Sequence, residues 1–277
     1  MLASRTAPPD SVVQINTADA EPTNLESVAS PTLDATFRPP PGGYAPLTTS
    51  APVVVGSISG KVFFKGTPPA EIKITMDAVC GRLYPTPVTT RHYVVGPEGG
   101  LANVFVYIKT GLESRRFPRP QDTPVLDQVV CLYEPFTMGV MTGQKFNVRN
   151  SDPFLHNVHS TPRVGGNLER NLAQHGNGNE IAFIFTKPEV LVRFKCDVHP
   201  WMFAYVGVVD HPFFAVTDKE GSFTITNVPS GDYVLEAYHL KTHGTNPGLM
   251  QELTIKKGQG AVADFTIQLP AQERSSQ

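Results

Sequence analysis

The sequence predicts an all-β protein built from two β-sandwiches behind a disordered N-terminal tail. Three observations carry that expectation. The 277 residues include 26 Pro and 23 Gly, which punctuate short strands with turns. Runs of β-branched and aromatic residues alternate with polar ones at the two-residue period of a strand. No long segment repeats its apolar residues at helical spacing.

Residues 1–52 are rich in Pro, Ser, Thr and Ala, with Phe37 and Tyr44 their only aromatics. Such a segment buries too little apolar surface to offset its ordering entropy. It reads equally as a semi-extended tether, stiffened by Pro39-Pro40-Pro41, or as a dispensable leader. Strands are expected to begin within residues 53–64. Residues 101–109 form the next, and their alternation sends Val104, Val106 and Ile108 to one face and Phe105 and Tyr107 to the other. Further strands are expected at 129–133, 145–149, 183–186, 190–195 and 205–209, with the glycine-containing stretch 165–178 a long connection. Residues 221–237 alternate in the same way on both sides of Pro229-Ser230-Gly231, which reads as a hairpin.

Between two of these strands lies Cys196-Asp197-Val198-His199-Pro200-Trp201-Met202, a C-x2-H-x2-M loop. Thiolate, imidazole and thioether together suit copper. Two imidazoles and a thiolate with a weak axial thioether form the donor set of electron-transfer copper sites. The second imidazole must come from another strand, and His156 in Leu155-His156-Asn157-Val158-His159 is the candidate. In an extended backbone His156 and His159 diverge, so only one of them binds. Four protein donors leave no open position for a substrate, so the site would carry electrons and is not expected to be an enzyme. Zinc is disfavoured because thioether suits it poorly. A binuclear copper centre is disfavoured because the loop has a single Cys.

Formal net charge is −2, from 23 Lys and Arg against 25 Asp and Glu, so no field that would recruit nucleic acid is expected. No run of about 18 apolar residues predicts a membrane-spanning helix. The first residues lack the charged-then-apolar pattern of a secretory signal. If Cys196 is a ligand, Cys80 and Cys131 remain as an even pair. They make either one disulfide, which requires an oxidising compartment, or two buried free thiols. His239 and His243 read as part of a solvated loop rather than a metal site.

His156-Asn157-Val158-His159, the loop Cys196 to Met202, and the preceding strand with Asn150-Ser151-Asp152 together resemble the amicyanin- and plastocyanin-like cupredoxins. The resemblance spans roughly residues 129–209. It implies a Greek-key β-sandwich holding one copper ion, with His156, Cys196, His199 and Met202 as ligands and one-electron transfer between redox proteins of cytochrome or dehydrogenase type. It further implies that Asn157 ties the two ligand segments together near the Cys196 sulfur. The edge of His199 is expected to be exposed within an apolar docking patch of Pro200, Trp201 and Phe203, unless Trp201 packs against the other sandwich. A periplasmic or extracellular location follows in the same way. The alternatives are a module that delivers or retains Cu(I), and an adhesive or structural sandwich that has lost its metal.

Residues 221–235, of the form G-x-F-x-I-x-x-V-P-x-G-x-Y-x-L, resemble the carboxypeptidase regulatory-like, or transthyretin-like, β-sandwiches. The opening strands of such a module lie before the copper segment. The expected organisation is therefore a cupredoxin domain at 119–210 inserted into a host sandwich made of 53–118 and 211–270. A tandem arrangement is the alternative.

Overall fold

The computed structural model describes residues 55–243 and 247–269. The expected N-terminal tail lies outside them. Among the described residues there are seventeen strands and two four-residue helices. No described helix is long and apolar enough to cross a membrane.

The strands make two sandwiches. In the first, Val55–Lys65 pairs with Ser222–Pro229, Ala261–Val262 and Phe265–Gln268, facing a sheet of Phe214–Val216, Phe105–Thr110, Gly231–Tyr238 and Leu249–Ile255. Ile58, Val62, Val104, Val106, Ile108, Ile225 and Leu235 fill the space between these sheets. The second sandwich uses only strands that lie between Thr110 and Phe214 in the chain. One of its sheets holds Leu132–Glu134, Val125–Val129, Phe146–Asn150 and Ile181–Phe183. The other holds Thr137–Met141, Phe203–Val209, Glu189–Lys195, His156–Thr161 and Arg170–Gln174. Its core gathers Tyr133, Phe146, Phe183, Phe194 and Met202, and also takes in Cys80 and Met76 from the long connection that follows the first strand.

The two sandwiches meet face to face. Phe105 and Tyr107, on the opposite face of their strand from Val104, Val106 and Ile108, pack with Phe136, Leu191, Tyr205 and Val209. Glycines in the facing sheet make room for these rings. A Cβ on Gly207 would sit 2.4 Å from Phe105 Cζ, and one on Gly139 would sit 2.4 Å from Phe214 Cε2. Full burial of an aromatic side chain such as Phe105 contributes roughly 1.5–3 kcal/mol.

Four local expectations are corrected. Ser222–Pro229 and Gly231–Tyr238 do not pair with one another. The first pairs with Val55–Lys65 and the second with Phe105–Thr110 and Leu249–Ile255, so the Pro229-Ser230-Gly231 turn crosses between sheets. Both strands turn their apolar side to the same core, and alternation alone cannot distinguish such an arch from a hairpin. Residues 129–133 are not one strand. Val130 and Cys131, at φ +47° and +56°, form a two-residue turn between Val125–Val129 and Leu132–Glu134. The stretch 165–178 contains the strand Arg170–Gln174. His239 is buried rather than solvated, its ring 5.6 Å from that of Tyr93; the side chain of His243 lies outside the described residues.

Candidate metal centre

The strand Glu189–Lys195 runs into Cys196, and Phe203–Val209 returns beside it with Lys195 opposite Phe203. The loop between them is a tight turn. Cys196 N–H donates to the Met202 carbonyl at 3.1 Å, and Met202 N–H donates to the His199 carbonyl at 2.9 Å. On the other flank of Glu189–Lys195 lies His156–Thr161, with His159 opposite Lys195. That register brings the start of the strand, His156, to the Cys196 end of the sheet.

His156 Nδ1 and His199 Nδ1 stand 2.8 Å apart, and Cys196 Sγ lies 3.9 and 3.8 Å from them. The point equidistant from these three atoms is about 2.1 Å from each, within the ~2.0–2.3 Å of metal–imidazole and metal–thiolate bonds. His156 is fully buried and Cys196 nearly so. Met202 is also fully buried at the foot of the loop. His159 faces elsewhere, its Nδ1 2.7 Å from Asp197 Oδ2 and its Nε2 2.6 Å from Glu169 Oε1.

The outer nitrogens of both imidazoles face carboxylates. His156 Nε2 lies 2.8 Å from Asp152 Oδ2, and His199 Nε2 lies 3.2 Å from Asp77 Oδ2. Asp152 is thus at hydrogen-bonding distance from His156 Nε2 and the Asp77 carboxylate lies beside His199 Nε2, while the two Nδ1 atoms face each other at 2.8 Å, a contact that needs a proton or a cation between them. Imidazole backed by carboxylate is the usual arrangement behind a metal-bound histidine. The donor set therefore fits an ion with a taste for nitrogen and sulfur.

Electrostatics favour the ligating forms of Cys196 and His199, while His156 is drawn toward its protonated form in the metal-free site. Burial works against a Cys196 thiolate, but His156 and the N–H groups of Asn157, His199 and Val198 outweigh it and bring the thiol below its usual range. Burial likewise disfavours a charged His156, yet Asp152 and Cys196 raise its pKa in the metal-free site. Burial, and then the charge of His156, push His199 down. Asn157 joins the two segments: its Oδ1 accepts from Asp197 N–H at 2.5 Å, and its own N–H reaches Cys196 Sγ at 3.5 Å.

Two carboxylates were not identified from sequence. Asp152 accepts from the N–H groups of Val130 and Cys131 at 2.7 and 2.8 Å and lies 2.8 Å from His156 Nε2, so one side chain supports both the left-handed turn and the His156 ring. A sequence signal existed in its spacing four residues before His156. Asp77 stands far from His199 in the chain and gave none.

The expected docking patch is corrected. Only Pro200 is exposed. Trp201 is half-buried against the core of its own sandwich, rather than against the other sandwich, and its Nε1–H donates to the Cys131 carbonyl at 3.1 Å. Phe203 belongs to the seam, with its ring near those of Phe136 and His92. His199 is only 6% exposed, with Asp77 beside its outer nitrogen and the rings of His156 and Trp201 4.7 and 5.2 Å from its own. Asp77 opens the helix Ala78–Gly81, and Cys80 of that helix is bonded to Cys131, S–S 2.01 Å.

Neither a protein-family model nor a curated protein sequence matches this chain. Some solved structures do. It is similar to a mutant of amicyanin in its Cu(I) form at 21% identity, over 37% of this chain and 97% of that one, TM-score 0.29. It is similar to a copper-containing nitrite reductase from Thermus scotoductus SA-01 at 18% identity, over 37% of this chain and 25% of that one, TM-score 0.30. A purple cupredoxin from Nitrosopumilus maritimus matches at 19% identity, over 31% of this chain and 98% of that one, TM-score 0.25.

Proposed function

We propose that the second sandwich is a cupredoxin-like domain holding one copper ion and that the protein passes single electrons between redox partners. The observation that carries this reading is the convergence of two imidazole Nδ1 atoms and the Cys196 sulfur on one point, each imidazole fixed from behind by a carboxylate. When bound, copper would supply a one-electron couple, and Met202, buried at the foot of the loop, is the residue proposed to tune its potential as a fourth donor. The chain's own residues set the rest. Asp152 holds the His156 ring at its Nε2 side, Asn157 steadies the sulfur, and the closed donor set with its buried walls excludes substrate and water. The protein is thus proposed as a carrier and not an enzyme.

The Cys80–Cys131 bond favours an oxidising compartment, periplasmic or extracellular. The host sandwich is proposed to be transthyretin-like. Its cross-sheet turn is held by Tyr233 O–H donating to the Pro229 carbonyl at 2.7 Å. One observation favours a second function, retention of Cu(I): the edge of His199 is covered. Reversible one-electron voltammetry separates the two, since a carrier cycles and a holder stays reduced.

Equilibrium dialysis of the full chain tests the site. One copper per chain is expected, and retention should be lost in His156→Ala and Cys196→Ala. Two coppers per chain, or undiminished binding in both variants, would contradict the proposal.

A further inference from the structure

The outer edges of both imidazoles are joined by a continuous set of contacts through the disulfide. Asp77 divides its carboxylate: Oδ1 accepts from Val79 and Cys80 N–H, both at 2.8 Å, and Oδ2 faces His199 Nε2 at 3.2 Å. Three residues on, fully buried Cys80 is bonded to Cys131. Cys131 N–H in turn donates to Asp152 Oδ2, the same oxygen that receives His156 Nε2. The donor atoms of Asp77, Cys80 and His199 lie within 4.8 Å of one another, as do those of Cys131, Asp152 and His156. The Cys131 end is braced from two directions, by Tyr84 O–H on the Val130 carbonyl at 2.5 Å and by Trp201 Nε1–H on the Cys131 carbonyl at 3.1 Å.

We propose that Asp77 is a positioning residue of the copper centre, held on His199 by the Cys80–Cys131 disulfide, so that the long connection of the first sandwich locks a ligand of the second. This rests on the copper reading above. Three consequences follow from the contacts. The His199 ring cannot turn away from the site while Asp77 holds its outer nitrogen. A fixed negative charge beside that nitrogen stabilises the more positive metal state and lowers the potential. A redox partner meets the turn that bears Asp77 and exposed Val79, rather than a bare imidazole edge. The lock is also thiol-dependent: a dithiol that gives two electrons and two protons converts Cys80–Cys131 to two thiols, becomes a disulfide itself, and frees the tether.

The test uses the copper-loaded full chain and protein-film voltammetry on wild type, Asp77→Asn, Asp77→Ala, Cys80→Ser/Cys131→Ser and the triple variant with Asp77→Ala. Asp77→Ala is expected to favour Cu(I) by about tenfold, which is a rise of about 59 mV for one electron. Asp77→Asn, still able to accept from His199, should shift less. The Cys pair should shift in the same direction, and the triple variant no further than Asp77→Ala, because both changes remove one lock. An unchanged potential in Asp77→Ala, or additive shifts in the triple variant, would overturn the proposal. A second arm needs no metal. In the metal-free protein, nitrogen-15 NMR should show the His199 Nε2 proton exchanging faster in Asp77→Ala than in wild type, and equal rates would also overturn it. If wild-type protein binds copper without a thiolate-to-copper absorption band, the blue-copper reading fails while this arm still decides the lock.

Discussion

Replacing Asp152 with Ala should destabilise the metal-free, disulfide-intact protein by about 2–5 kcal/mol. The buried Cys131 N–H loses its acceptor, which costs roughly 1–3 kcal/mol when a buried donor is left unsatisfied. Val130 N–H, at the edge of solvent, adds roughly 0.5–1.5 kcal/mol. His156 Nε2 loses its carboxylate as well. The sum matters more than usual because Val130 and Cys131 occupy the left-handed region, where a β-branched residue is an outlier and strain costs on the order of 1–3 kcal/mol per residue. Two-residue turns of this kind ordinarily use Asn-Gly, so the Asp152 bonds stand in for a favourable sequence. Asp152→Asn keeps one accepting oxygen and should lose about half as much. Urea denaturation read by Trp201 fluorescence measures both, as a fall in midpoint at constant slope. A loss under about 1 kcal/mol in Asp152→Ala would refute the idea that this carboxylate supports the turn.

Three further outcomes are expected. Gly207→Ala places a methyl 2.4 Å from the Phe105 ring and should cost about 1–3 kcal/mol by overpacking, measured by thermal unfolding, while Gly165→Ala, with open space around it, should cost far less. Cys80→Ser opens a cross-link spanning 51 positions and should lose up to about 4 kcal/mol by loop entropy, read from denaturant midpoints with and without a dithiol. Burial pushes His211 below its usual 6.5, against the pull of the Ile108 carbonyl. Its Nε2 lies 2.7 Å from that carbonyl and its Nδ1 accepts from Phe213 N–H at 3.2 Å, so the ring is neutral in the fold. The unfolded chain then binds the extra proton, so this contribution is present above about pH 6.5 and is lost as pH falls through the folded value. His211→Gln should flatten that part of a stability-against-pH profile, and an unchanged slope would contradict it.

The parts of the fold that were legible in sequence are those set by local period. Alternation at residues 104–108 separated the core of the first sandwich from the seam, because a strand's faces are fixed by parity alone. Within the C-x2-H-x2-M loop, Cys196 and His199 are three residues apart in sequence, and the fold brings their Sγ and Nδ1 to 3.8 Å. What stayed hidden depends on distant partners. The turn at Val130-Cys131 contains no turn residue and exists through Asp152. The arch at Pro229-Ser230-Gly231 has the sequence of a hairpin, and only the pairing of Val55–Lys65 with Ser222–Pro229 decides between them. The edge of His199 could not be known to be covered, since its cover comes from a four-residue helix far away in the chain. Trp201 and Phe203 looked like a docking patch because an apolar loop reads the same whether it faces solvent or a neighbouring sheet.

Visible absorption of the purified, copper-loaded and oxidised full chain tests the central claim most directly. One copper per chain with an intense thiolate-to-copper charge-transfer band, abolished in Cys196→Ala, is the predicted result. Protein that binds stoichiometric copper, is oxidised, and remains colourless would contradict the assignment of Cys196, His156 and His199 as an electron-transfer copper site.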